Sequence, residues 1–181
     1  MHLDWNAELH DQLDWHWTNQ LRPRLDGLTD EEYYWEPVPG CWTIHRESDD
    51  GTLTIDWSYP PPDPEPVTTI AWRLGHLIVG VFGLRNASHF DGPRTDYETH
   101  PYAATAEQAL YQLDQAYARW SAGVRSLGDE GLARPCGPAE GPYAERPMAS
   151  LVLHINREAI HHGAELALLR DLWAQREPVS P

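Results

Sequence analysis

The 181-residue sequence contains no lysine; its 13 basic residues are all arginine. Against them stand 28 acidic residues, giving a net charge of −15. A chain this acidic is repelled by nucleic acid and by anionic membrane surfaces, so neither is expected as a partner. Cysteine is scarce. Cys41 and Cys136 lie far apart in loop-like contexts, which reads as two free thiols in a reducing cytoplasm, not as a disulfide framework. The sequence has no run of about 18 apolar residues and no charged-then-apolar start, which fits a soluble, cytoplasmic chain. It shows no repeat at solenoid or propeller periods, and no Gly-rich phosphate loop, CxxC pair or Ser/His/Asp arrangement.

What is present is a core. Hydrophobic residues make up 41% of the chain, with nine tryptophans and eight tyrosines supplying large apolar area. One domain over residues 1–181 is expected. Leu9, Leu13, Trp17, Leu21, Leu25 and Leu28 recur at helical spacing, predicting a first helix from about Leu3 to Leu28 with a kink at Pro23. Ile70, Leu74, Leu77, Val81 and Leu84 predict a second over about Val67–Phe90, with Trp72, His76, Gly80 and Gly83 on a neighbouring stripe. Small residues there leave room for close approach of another backbone. Thr105-Ala106-Glu107-Gln108 is a capping box opening a third helix, whose seam runs Leu110, Leu113, Tyr117, Trp120, Val124, Leu127 and stops at Gly128. Pro147 opens a fourth helix and Pro178 stops it.

Four amphipathic helices of about 20–25 residues describe an all-α four-helix bundle. The connection between the first two is long, about 35–40 residues, and suits a crossover. It carries two β-prone segments, Trp42–Ile44 and Leu53–Trp57, around an Asp50-Gly51 turn, predicting a small β-hairpin insertion.

The fourth helix holds the anomaly. Met148, Val152, Ile155, Ala159, Leu166, Leu169 and Trp173 form its apolar seam, and His162 fills the one gap. Glu158 stands one turn earlier on the same face. Burying two such groups unpaired is costly. If His76 faces them from the second helix, two histidines and a glutamate make a ligand set suited to zinc, and also to nickel or iron(II), with a fourth position open. Taken by themselves, Glu158 and His162 are equally well explained by a mutual hydrogen bond. His154 and His161 compete for the same role, His154 as a ligand or as a partner behind one. Trp17, Trp120 and Trp173 read as core, while Trp42, Trp57 and Trp72 fall where a pocket wall could be. His16, His45, His89 and His100 read as surface or loop residues.

Three segments carry a resemblance: LDGLTDEEYYWEPVPGCWTI after the first helix, TIAWRLGHLIVG, and HINREAIHHGAELALLRDLW. In that order they resemble the DinB-like superfamily of metal-binding four-helix bundles, in its DUF664/DinB_2 branch. Most of that superfamily uses one histidine from the second helix and an H-x3-H pair from the fourth. Here Glu158 replaces the first histidine of the pair, which is similar to the mycothiol-dependent maleylpyruvate isomerases. The resemblance implies His76, Glu158 and His162 as the metal ligands and a low-molecular-weight thiol as cosubstrate. Those isomerases use a second, C-terminal domain that these 181 residues do not include, so S-transfer to a small electrophile is expected in place of isomerisation. A metal-dependent hydrolase and a non-catalytic metal-binding stress-response module are the alternatives. Together with exposed aromatics, the resemblance also implies a homodimer.

Overall fold

A computed structural model describes residues 3–46 and 51–176. It shows the expected four-helix bundle, with helix boundaries set by caps and by two π-helical stretches. The first bundle helix runs through Trp5–His16, a π-helical stretch at Trp17–Leu21, and Arg22–Arg24. Asp4 caps it by accepting from the Ala7 N–H at 3.0 Å. Pro23 accounts for the wide turn. Its ring clashes with the carbonyl four residues back, so the turn ahead opens and the Arg22 N–H donates to Trp17 O. The helix therefore ends short of the expected Leu28; Gly27, at φ +72, already turns away.

The second bundle helix comprises Ile70–His76, a π-helical stretch at Leu77–Gly83, and Leu84–His89. It starts three residues later than the apolar pattern predicts, because the backbone before it pairs elsewhere. Trp42 N–H donates to Val67 O at 2.9 Å and Thr69 N–H to Trp42 O at 2.9 Å. Thr69 then caps the helix, accepting from Trp72 N–H at 3.2 Å. The third helix, Ala106–Arg125, opens on Thr105, which accepts from Gln108 N–H at 3.3 Å as its capping box predicts. It ends before Gly128. That glycine, at φ +60, instead begins a short helix, Gly128–Ala133, in what read as loop. The fourth helix, Met148–Gln175, is continuous. The stop assigned to Pro178 lies outside the described residues.

The first and second helices each pack against the third and fourth, so they sit diagonally across the bundle. A tight turn cannot join diagonal helices, which is the physical reason for the long crossover. The crossover holds a short helix, Asp30–Tyr33, and the predicted hairpin: β1 (Ile44–Arg46) and β2 (Leu53–Ile55), antiparallel, with Ile44 opposite Ile55. Of the expected turn, Asp50 lies outside the described residues. Leu13, Leu21, Leu74, Leu77, Leu113, Trp120, Val152, Ile155 and Leu166 fill the core. Trp17 and Trp120 are buried as expected. Trp173 is only half-buried; it meets Trp35 edge-on at the end of the bundle, under the Arg176 guanidinium. Cys41 and Cys136 are buried free thiols. Among the described residues no helix is long and apolar enough to cross a membrane.

Two buried ion pairs fix the connections to the bundle. Glu32 in the crossover is 3% exposed and takes a two-pronged grip from Arg170, at 2.7 and 3.1 Å. The same guanidinium donates to the carbonyls of Arg24 and Asp26 at 2.6 and 2.8 Å. One side chain of the fourth helix thus binds both the end of the first helix and the crossover. Glu140, in the connection before the fourth helix, pairs with His89 at 3.0 Å and Arg85 at 3.4 Å. His89, which read as a surface residue, has a side chain only 5% exposed, because that connection folds over it.

Arg170→Ala strands the Glu32 carboxylate in the core, and urea denaturation is expected to show a loss of about 3–5 kcal/mol. The hydrogen bond from His89, assisted by Arg85, holds the Glu140 carboxyl below its usual value of 4.5. A depressed carboxyl stabilises the fold above its unfolded pKa and loses that contribution as pH falls. Glu140→Gln should therefore cost about 1–3 kcal/mol at neutral pH. The gap from wild type should narrow as pH drops below about 4.5 in denaturation curves taken across pH.

Candidate metal centre

His162 occupies the seam position read from the sequence. It is 9% exposed, between Ala159 and Leu166, which are both 0% exposed. The second helix is its neighbour in the bundle, and His76 meets it edge to face, ring centroids 4.6 Å apart with planes at 89°. Glu158 reaches the same point from one turn earlier, its Oε2 3.7 Å from His162 Nε2. His162 thus stands beside both His76 and Glu158, but the donor atoms of the three do not all lie within 4.8 Å of one another. His154 stands behind Glu158, with Nδ1 3.4 Å from Oε1, and donates nothing to the histidine pair.

Each imidazole is held by its Nδ1. Glu165 Oε2 lies 2.7 Å from His162 Nδ1. A carboxylate only accepts, so this nitrogen donates its proton to Glu165. Arg73 sits over the same carboxylate, Nε to Oε2 at 3.0 Å. Burial works to raise the Glu165 carboxyl, but the His162 hydrogen bond and the Arg73 charge outweigh it, and the net shift is downward. On the other ring, Tyr97 Oη lies 2.6 Å from His76 Nδ1. Burial first, then the proximity of His162 and Arg73, lowers the His76 pKa to about 3, so the ring is neutral at physiological pH. Nε2 of His76 has no hydrogen bond to any described residue. A neutral imidazole with one nitrogen tied and the other free is the form a metal ligand takes.

Aromatic rings set the orientation of His76. Trp72 stacks on it at 5.2 Å and 10°, and Trp57 from the crossover stacks on Tyr97 at 4.6 Å and 8°. Trp42 lies 5.8 Å from Trp72. The three tryptophans placed by sequence near the histidine stripe therefore wall one side of the site. The glycines beside His76 serve the connection after the second helix, not the backbone of another helix. A Cβ on Gly80 would fall 2.0 Å from Tyr97 Oη, and one on Gly83 would fall 2.6 Å from Ile78 O. The first makes room for Tyr97. The second is demanded by the π-helical turn itself, whose loosened Gly80 carbonyl accepts from Arg85 Nη1 at 2.8 Å.

Tyr97, Glu165 and Arg73 were missed as site residues. Glu165 stands one turn after His161 on the fourth helix, and Arg73 one turn before His76 on its own helix. Tyr97 comes from a loop without periodicity, so nothing local could have flagged it.

Two other clusters are weaker candidates. His161, His162 and Glu165 have donor atoms all within 4.8 Å of one another. Yet in that set the His162 Nδ1 is already tied to Glu165 Oε2 at 2.7 Å. The Arg73 guanidinium, 3.1 Å from that Nδ1, would also repel a cation there. Across the first and third helices, His10 Nε2 lies 2.8 Å from Ser121 Oγ and 3.8 Å from Asp14 Oδ1. A catalytic triad needs the two ring nitrogens on different partners, and here one nitrogen faces both. Tyr117 moreover donates to Asp14 at 2.6 Å, so this is a structural tie.

The sequence profile of the DinB superfamily matches residues 51–166, a span that contains His76, Glu158, His162 and Glu165. The chain belongs to the DinB superfamily. No curated protein and no solved structure matches it. Within this DinB bundle the side chains of a kind suited to a divalent cation are the imidazoles of His76 and His162 and the Glu158 carboxylate, with His162 beside each of the other two.

Gly80→Ala should push Tyr97 off His76, and Tyr97→Phe should remove the hydrogen bond without the clash. Both variants are expected to bind a divalent ion about 10–100-fold more weakly than wild type in competition with a chromophoric chelator.

Proposed function

We propose that this DinB-superfamily chain is a metal-dependent enzyme in which His76, Glu158 and His162 hold a divalent ion. A low-molecular-weight thiol, mycothiol-like, serves as cosubstrate for S-transfer to a small electrophile. The observation that carries the reading is the meeting of His76 and His162, each held through Nδ1 by Tyr97 or Glu165. A purely structural pair would need no such division of labour between its nitrogens. Zinc suits the donors best, and nickel or iron(II) share the same ligand preferences. Once bound, such an ion supplies Lewis acidity that brings a thiol or water toward its reactive anion at neutral pH.

The protein's own residues do the rest. Glu165, braced by Arg73, keeps the His162 proton on Nδ1. Tyr97 holds the His76 ring, and Trp72 stacked on His76 and Trp57 stacked on Tyr97 keep those two rings from swinging. Glu158 offsets part of the ion's charge. The thiol is supported by the resemblance of the His–Glu–His set to mycothiol-dependent enzymes.

Protein purified without an affinity tag should carry one divalent ion per chain by elemental analysis. His162→Ala should lose it and His161→Ala should keep it. Loss of metal from His161→Ala would favour the neighbouring cluster, and the absence of metal from wild type would defeat the proposal. Turnover of a small electrophile should require added thiol. Activity without thiol would point to hydrolysis.

A further inference from the structure

A second cavity, of about 1090 Å³, lies between the second and third helices and the 91–101 connection. Its floor is the outer face of the third helix, where Ala116, Ala118 and Ala122 leave depth between larger neighbours. Arg94, Arg119 and Arg134 line it, and Asp91 is its one lining carboxylate. The balance is thus the reverse of the whole chain, which has 28 acidic residues to 13 basic ones. None of the three guanidinium groups has an ion pair or hydrogen bond among the described residues. By contrast, Arg22, Arg73, Arg85 and Arg170 are all paired. Unpaired guanidinium groups around a concave surface present planar forks to carboxylate or phosphate oxygens.

Gln112 and Gln115 add amides along the floor. We infer that this cavity is a binding site for a small anion with at least two acidic groups, separate from the His76–His162 centre. Thr95 and Thr99 face this cavity, while Tyr97 between them turns to His76. The two sites share a connection but no donor.

The probes are citrate, a hydroxylated carboxylate, and inorganic pyrophosphate, titrated calorimetrically into the full chain at low ionic strength. At least one should bind saturably at one per chain, and which one does so distinguishes carboxylate from phosphate recognition. Arg119→Ala and Arg134→Ala should each weaken binding about tenfold or more, as expected for losing a charged hydrogen bond. Arg94→Ala, in the connection, should do the same. Arg146→Ala removes an exposed arginine that does not line the cavity, with the same change in net charge, and should leave affinity unaltered. Failure of both anions to saturate would overturn the inference. So would an Arg146→Ala loss as large as that of Arg119→Ala, since binding would then follow overall charge.

Discussion

The hydrogen bond between His162 Nδ1 and Glu165 is the interaction around which the centre is arranged. It places a polar ring in a hydrophobic seam and decides which of its nitrogens remains available. A buried imidazole without partners would cost the bundle several kcal/mol. With Nδ1 satisfied, Nε2 faces Glu158, 3.7 Å away. Arg73 braces Glu165, while Tyr97 and the tryptophan wall hold the His76 ring.

The same economy governs the connections. Diagonal placement of the first two helices forces a long crossover, which would be loosely held without anchorage. Arg170 supplies that by binding Glu32 and two carbonyls at the end of the first helix. The crossover then delivers Trp57 to Tyr97, so a scaffold ion pair and the orientation of His76 belong to one chain of contacts. The π-helical stretch after His76 fits here as well. It spaces Gly80 and Gly83 so that the following connection can lie close and insert Tyr97.

Much of this was legible in sequence, for identifiable reasons. Seams with alternating spacings of three and four gave the four helices, and the interruption of one seam gave His162. The Thr105 capping box fixed the start of the third helix because the signal is local. Other boundaries moved where non-local pairing intervened: Val67 and Thr68 went to Trp42 in place of the helix. Gly128 read as a stop but opened a further short helix. His89 looked like a surface residue until the connection carrying Glu140 closed over it. The DinB family, too, was visible in the order of three segments.

The sequence by itself determined the bundle, the hairpin and the anomaly on the fourth helix, since periodicity, caps and turn residues act over a few residues. It could not choose between a mutual Glu158–His162 hydrogen bond and a wider donor set. Only the tertiary structure decided that His76 stands against His162, that Glu165 and Tyr97 occupy their Nδ1 atoms, and that Arg73 lies over Glu165. Those are contacts between groups distant in the chain or turned by helix packing. Their geometry depends on where diagonal helices and a long connection come to rest, which no local pattern encodes.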